Sequence, residues 1–335
     1  GYPAIGETER DSIREIAAMR LPVRLTAWSR ANRSDIELAA ACSTGAVHIS
    51  FPASPLYLGL MNRDYGWVRE QLHELVRYAR EVFDFVSVGA QDATRADHSL
   101  LRQFVEDAEA AGADRVRLAD TVGVATPTSV AGMVAALSAA SSVPLEFHAH
   151  NDLGMATANA FMALQAGCRA VSVSVTGLGE RAGNAALEEL AMALSLTEGC
   201  ACRLDTTMLT LLCEAVSSAS GRPIQAQKPV VGRSAFQHES GIHCAALLEE
   251  PLSYQPFLPS AVGRQSFEMV IGKHSGSAAI REHFRKRGIR LTREESSGVL
   301  ELVRSAADAR KRALCAEELD EIHRQYRETG SKQPR

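Results

Sequence analysis

Two histidines one residue apart, His148 and His150, sit inside the run Phe147-His148-Ala149-His150-Asn151-Asp152. The run closes a short apolar stretch, residues 143–147, and an alanine-rich stretch of helical character follows it. Successive side chains of a strand point to opposite faces, so histidines at i and i+2 share a face and can grip one cation. Two imidazoles at a strand end, with a carboxamide and a carboxylate just beyond, suit a divalent metal in a pocket. Two partly buried histidines bonded to backbone give the same pattern. The pair alone does not separate the two readings.

Three further clusters carry polar chemistry. The segment Gly177-Leu178-Gly179-Glu180-Arg181-Ala182-Gly183-Asn184 has three glycines that let backbone approach a ligand, with Glu180, Arg181 and Asn184 as polar contacts. The helix expected at 185–196 begins right after it, so its N-terminus is a candidate anion site; a tight strand-to-helix turn with Glu180 and Arg181 paired is the plainer alternative. Ala119-Asp120-Thr121-Val122-Gly123 offers a hydroxyl, Thr121, for a carboxylate, or else an Asx-type turn. His238 and His243 flank Glu239-Ser240-Gly241-Ile242, with Tyr254 beyond. Histidine is the natural proton shuttle near neutral pH, but sequence spacing does not place these residues in a pocket. Lys273-His274-Ser275-Gly276 is a last polar group with a glycine stop.

The elements that must position these groups alternate. Strands are expected at 23–28, 47–51, 83–89, 115–119, 143–147 and 170–175, and helices at 7–19, 34–42, 65–81, 100–110, 126–140 and 157–166. Thr126 is the expected N-cap before Pro127, and Gly45, Gly112 and Gly167 are expected stops. Strict alternation implies parallel strands joined by crossovers. Polar residues fall just after the strands, where barrel active sites lie. An open doubly wound sheet would accept six strands, but no glycine-rich phosphate turn follows an early strand. The expected fold is therefore an α/β (β/α)8 TIM barrel, with the first strand and most of the second missing from this stretch and Gly1-Tyr2-Pro3 as a strand's tail. A barrel domain is expected over 1–200. A proline-rich linker and a small helical subdomain are expected over 201–335, with helices at 206–218 and 292–326.

At 335 residues, 46% hydrophobic and 23% charged, the chain is ordinary for a globular protein. A net charge of -4 speaks against a nucleic-acid surface, and no apolar run has the roughly 20 residues of a membrane helix. Seven cysteines without a CxxC pair fit a reducing, cytoplasmic setting.

Taken together, ADTVG (119–123), HAHND (148–152), GLGERAGNA (177–185), HESGIH (238–243), VGR (262–264) and IGKHSG (271–276) closely resemble the acyl-CoA-condensing enzymes of the DRE-TIM metallolyase superfamily. Those are the 2-isopropylmalate and homocitrate synthases. Residues 25–28, 48–52 and 92–97 are most similar to the nitrogen-fixation type of homocitrate synthase. The resemblance implies an acyltransferase that condenses acetyl-CoA with 2-oxoglutarate, using a divalent metal (Mg2+, Mn2+ or Zn2+). It implies His148, His150 and Asn184 as metal ligands, Thr121, Gln91 and Arg181 at the substrate, and His243 and Tyr254 as catalytic groups completing a partner's site in a homodimer. Two departures stand out. The family's opening strand, with its metal-binding Asp and catalytic Arg, is absent from these residues, which implies that this stretch alone is inactive. Gln91 stands where relatives carry Glu, and Ser87 where lysine-pathway homocitrate synthases carry Arg, so another cation must hold a distal carboxylate. Sister synthases for 2-isopropylmalate or citramalate, and a catalytically dead ligand-binding homologue, are the alternatives.

Overall fold

The computed structural model describes residues 1–200 and 202–330. It divides into two compact units, Gly1–Cys202 and Arg203–Arg335.

The first unit is built on six parallel strands: β1 (Leu25–Arg30), β2 (Gly45–Pro52), β3 (Phe85–Gln91), β4 (Arg115–Asp120), β5 (Leu145–Ala149) and β6 (Ala170–Ser172). They pair in strict chain order, β1-β2-β3-β4-β5-β6. A doubly wound sheet reverses its order at a switch point, whereas this one never does. Winding in one direction gives a curled half-barrel, six strands of a TIM barrel. The Trp28 N–H donates to the Gly1 carbonyl at 2.8 Å, so Gly1 runs along the free edge of β1. Tyr2 packs edge-on against Trp28, with ring centroids 4.6 Å apart.

The two faces of the sheet differ sharply. Val47, Ile49, Phe51, Val86, Val88, Val116, Leu118 and Phe147 alternate along the strands, fully buried in the main core. After α1 (Glu7–Ala18), which precedes β1, they pack under α2 (Arg33–Ala40), α3 (Pro55–Leu60), α4 (Tyr65–Arg80), α5 (His98–Ala110), α6 (Pro127–Ala140), α7 (Ala156–Ala166) and α8 (Leu187–Leu196). In α4 the buried residues Val68, Leu72, Leu75, Val76 and Ala79 keep helical spacing, and the Asp64 carboxylate caps its first turn. Each such Leu or Val contributes about 1.5–3 kcal/mol on burial. Thr126 caps α6 ahead of Pro127, with Ser129 answering in a capping box. The opposite positions on the strands are small or polar: His48, Ser87, Gly89, Gln91, Arg115, Arg117, Glu146 and His148. Those face the concave side.

Three local expectations change. The sixth strand stops at Ser172, because a turn of 3-10 helix at Val175–Gly177 holds Thr176 at φ 60° and bends the chain. Gly45, expected as a stop, opens β2 instead. The first turn of α8 does not await an anion: it carries Glu188 and Glu189, and buried Glu188 already accepts the Thr176 N–H at 2.9 Å.

The second unit holds α9 (Leu209–Ser220), α10 (Gly241–Glu249), α11 (Ser277–Lys286), α12 (Arg293–Arg310) and α13 (Ala316–Gly330). A two-residue ladder joins β7 (Gln237–His238) to β8 (Glu268–Met269). The stretch expected to be linker contains α10, since its prolines at 223, 229, 251, 256 and 259 all lie outside that helix. The helical tail is broken at Lys311, whose φ of 54° ends α12. A separate core of Cys244, Ile280, Phe284, Val299 and Val303 closes this unit. Among the described residues no helix is long and apolar enough to cross a membrane.

Candidate active site

His148 lies near the end of β5, and His150 one residue past it, on the same concave side. Their rings meet edge to face, 4.8 Å between centroids. His150 Nδ1 stands 2.9 Å from the Asp120 carbonyl. A carbonyl can only accept, so Nδ1 carries a proton and Nε2 is the ring atom left for a ligand. Burial, then the Arg117 guanidinium and His150, push the His148 pKa down to about 3. Its imidazole is therefore neutral near pH 7, and its buried Nδ1 has no hydrogen-bond partner.

Asn184 reaches the pair through backbone. It forms an antiparallel bridge with His150, and the Asn151 N–H donates to the Gly183 carbonyl at 2.8 Å. The Asn184 Oδ1 is buried without a hydrogen-bond partner and lies over Gly179, where a Cβ would come within 2.4 Å of it. Buried polar atoms normally find partners. Two lone-pair donors left unpaired beside a third, His150 Nε2, form a set that a divalent cation satisfies. Among the described residues no third His, Cys, Asp or Glu joins the pair.

The rim around them is knitted by side chain-to-backbone bonds. Buried Asp120 accepts from Thr94 Oγ1 at 2.8 Å and from the Val124 and Ala125 N–H groups at 3.1 Å. The Thr121 hydroxyl accepts the Asp92 N–H at 2.8 Å, tying β4 to β3. That leaves its own proton free to donate. Asp92 sits in left-handed conformation (φ 62°) and is held by Arg95 at 2.8 Å. Gln91 ends β3 beside them, its carbonyl taking the Ala53 N–H at 3.0 Å. Arg181 grips Asp152 with two hydrogen bonds of 2.7 and 2.9 Å and also donates to the Thr121 carbonyl. It thus ties together the loops after β4, β5 and β6. Gly123 permits this closeness: at φ 65° its Cβ would lie 2.4 Å from Asp152 Oδ2.

Deeper in the concave face lies a group that sequence reasoning did not single out as a site. Glu146 accepts from Arg117 Nε at 2.7 Å and from Ser172 Oγ at 2.5 Å. Arg115 Nε stands 2.9 Å from its other oxygen, an ion pair without hydrogen-bond geometry. The two arginines and Ser172 hold the Glu146 carboxyl below the usual carboxylate range against its burial. His48 is fully inside, with Nδ1 2.8 Å from Ser87 Oγ. Burial, Arg117 and His148 depress its pKa well below the ordinary value. The signal was available: polar residues at every second place in strands otherwise rich in valine and leucine.

In the second unit His243, on α10, stacks on Tyr254 with centroids 3.9 Å apart and planes at 21°. The two polar motifs of this unit interlock. The Gly241 N–H donates to the His274 carbonyl at 3.0 Å, and the His274 N–H donates to Glu239 Oε1 at 2.9 Å.

Residues 1–216 match the HMGL-like family model, and residues 230–311 the model described as homocitrate synthase post-HMGL domain-like. The chain is 42% identical to 2-isopropylmalate synthase 2 of Caldanaerobacter subterraneus subsp. tengcongensis, over 95% of this chain and 83% of that one. It is 40% identical to homocitrate synthase 1 of Nostoc sp., over 98% of this chain and 87% of that one. Among solved structures, a Bacillus subtilis HMG-CoA lyase superposes with a TM-score of 0.58 at 22% identity, over 65% of this chain and 78% of that one. That is a likeness of fold. The half-barrel, its paired histidines and the segment that follows it place this chain in the HMGL-like family.

Proposed function

We propose that this chain is a homocitrate synthase, a condensing acyltransferase joining acetyl-CoA to 2-oxoglutarate and hydrolysing the thioester. The observation that carries the reading is the convergence of two imidazoles with the unpaired Asn184 Oδ1 at the strand ends, beside the Thr121 hydroxyl. His148, His150 and Asn184 would hold a divalent cation, Mg2+, Mn2+ or Zn2+. Such a cation, when bound, supplies Lewis-acid polarisation of a 2-oxo acid's carbonyl. The chain's own residues do the rest. The Asp120 carbonyl fixes the His150 ring, Thr121 donates to the acid's carboxylate, and Gln91 and Arg181 border the same rim. His243 moves the proton from the methyl of acetyl-CoA and Tyr254, stacked on it, orients the thioester carbonyl. Both act on the partner's site in a homodimer. The enolate carbon then attacks the ketone, and water cleaves the thioester.

The second reading is a 2-isopropylmalate synthase, favoured by the 42% identity to a relative of that name. Release of CoA thiol by the full-length protein decides between them, measured with 2-oxoglutarate, 2-oxoisovalerate and pyruvate, each with and without chelator. Chelator-sensitive release preferring 2-oxoglutarate is the expected result. Preference for 2-oxoisovalerate moves the assignment to the sister synthase, and no release with any acid leaves a ligand-binding homologue.

A further inference from the structure

The concave face carries more positive charge than its own residues neutralise. Glu146 is the one carboxylate among the inward residues of β4 and β5, and it faces both Arg115 and Arg117. Two guanidinium groups against one carboxylate leave a net charge of +1. The carboxylate is sealed, 4% exposed, whereas the arginine side chains keep 25% and 23% of their surface open. An arginine charge with no counter-ion is costly where water is scarce. The site is built to receive an anion.

The strand register says where that anion lies. Arg117 pairs with Gly89 on β3 and with Glu146 on β5, and Arg115 pairs with Ser87. Both β3 neighbours are small, and the His48 ring fills the space over Gly89, its Nε2 2.6 Å from where a Cβ would stand. Glu146 precedes His148 by two residues, about 7 Å along the strand. A ligand gripped by His148 and His150 at one end therefore meets the Arg117 layer with its other end.

We propose that Arg117, backed by Arg115, receives the distal carboxylate of a dicarboxylic 2-oxo acid and so sets substrate choice. The inference rests on the reading of the rim as a 2-oxo acid site. A carboxylate pairs with the uncompensated guanidinium charge, while an isopropyl or methyl group in its place would leave that charge without a counter-ion.

The test uses the full-length protein. Arg117→Met should raise KM for 2-oxoglutarate on the order of 10²-fold, leave KM for acetyl-CoA in place and not weaken use of 2-oxoisovalerate. Calorimetric binding of 2-oxoglutarate should weaken in parallel, and Arg117→Lys should restore part of it. In Arg117→Met the remaining Arg115 still faces Glu146 and the two charges cancel, so this variant already measures each acid in a pocket of zero net charge. Equal losses on every 2-oxo acid, or no loss, overturn the inference, since a merely structural arginine does not discriminate between acids. A wild-type protein that itself prefers 2-oxoisovalerate overturns the functional reading as well, whereas wild-type preference for 2-oxoglutarate retained in Arg117→Met overturns this inference alone.

Discussion

Gly183 is the position where one methyl group does most harm. Its φ is 93°, and a Cβ there would lie 2.2 Å from the Gly177 carbonyl oxygen. Its own carbonyl holds the Asn151 N–H, so the loop cannot shift without loosening the histidine run. Gly183→Ala is expected to cost about 2–4 kcal/mol, read as a lower urea midpoint at unchanged slope. A change below about 0.5 kcal/mol would mean that the loop relaxes freely and the clash is harmless. The value of glycines in this segment was legible from sequence, but which glycine faces which carbonyl was not, because that depends on how the loop folds back. The same limit applies to side chains. The spacing of His148 and His150 put both rings on one face, as they stand here, but did not tell a metal pair from two histidines bonded to backbone. Arg181 appeared as a ligand contact, and the structure finds it engaged with Asp152 and the Thr121 carbonyl. His48 and Arg117 were not singled out as site residues, since a lone polar residue in a strand acquires meaning only when its neighbours across the sheet are known.

Alternation of strand and helix was enough to foresee the parallel sheet, and the absence of a phosphate turn pointed to winding in one direction. Short elements escaped for a physical reason. The α10 helix has nine residues and little apolar periodicity, so contacts with the rest of its unit, rather than propensity, hold it in shape. One such packing has a pH signature. Phe284 of α11 lies against His283 (5.1 Å) and against His323 of α13 (4.7 Å). Burial is the largest cause that lowers both imidazole pKa values. Arg287, Lys286 and Asp320 face His283, and Arg327, Glu295 and Asp320 face His323. The unfolded chain takes up these two protons at higher pH than the folded one. Stability is thus complete above the ordinary histidine value of about 6.5 and declines below it. Each histidine accounts for up to about 1.4 kcal/mol per pH unit. Denaturant melts at pH 7, 6 and 5 should show the decline, and His283→Leu should flatten it. An identical slope in that variant would assign the effect to other groups.

On the scale of the molecule, two cores without a shared residue divide the chain. The sequence reading put a boundary at 200, and the compact units divide at Cys202 and Arg203. Arg203 is exposed and lies outside any helix or strand. Brief trypsin treatment should cut there first and yield two fragments that resist further digestion, identified by mass. Survival of that bond while helix-borne arginines are cut would contradict a division at this point.

Arg181 and its hold on Asp152 bear on the medium as well as on the molecule. Both side chains are open to water, at 43% and 25%, so their attraction is screened by dissolved salt, whose reach shrinks from about 10 Å at 0.1 M to about 3 Å at 1 M. The loops after β4, β5 and β6 all meet at this pair. Added salt is therefore expected to weaken this contact at the mouth of the half-barrel without touching any group inside it.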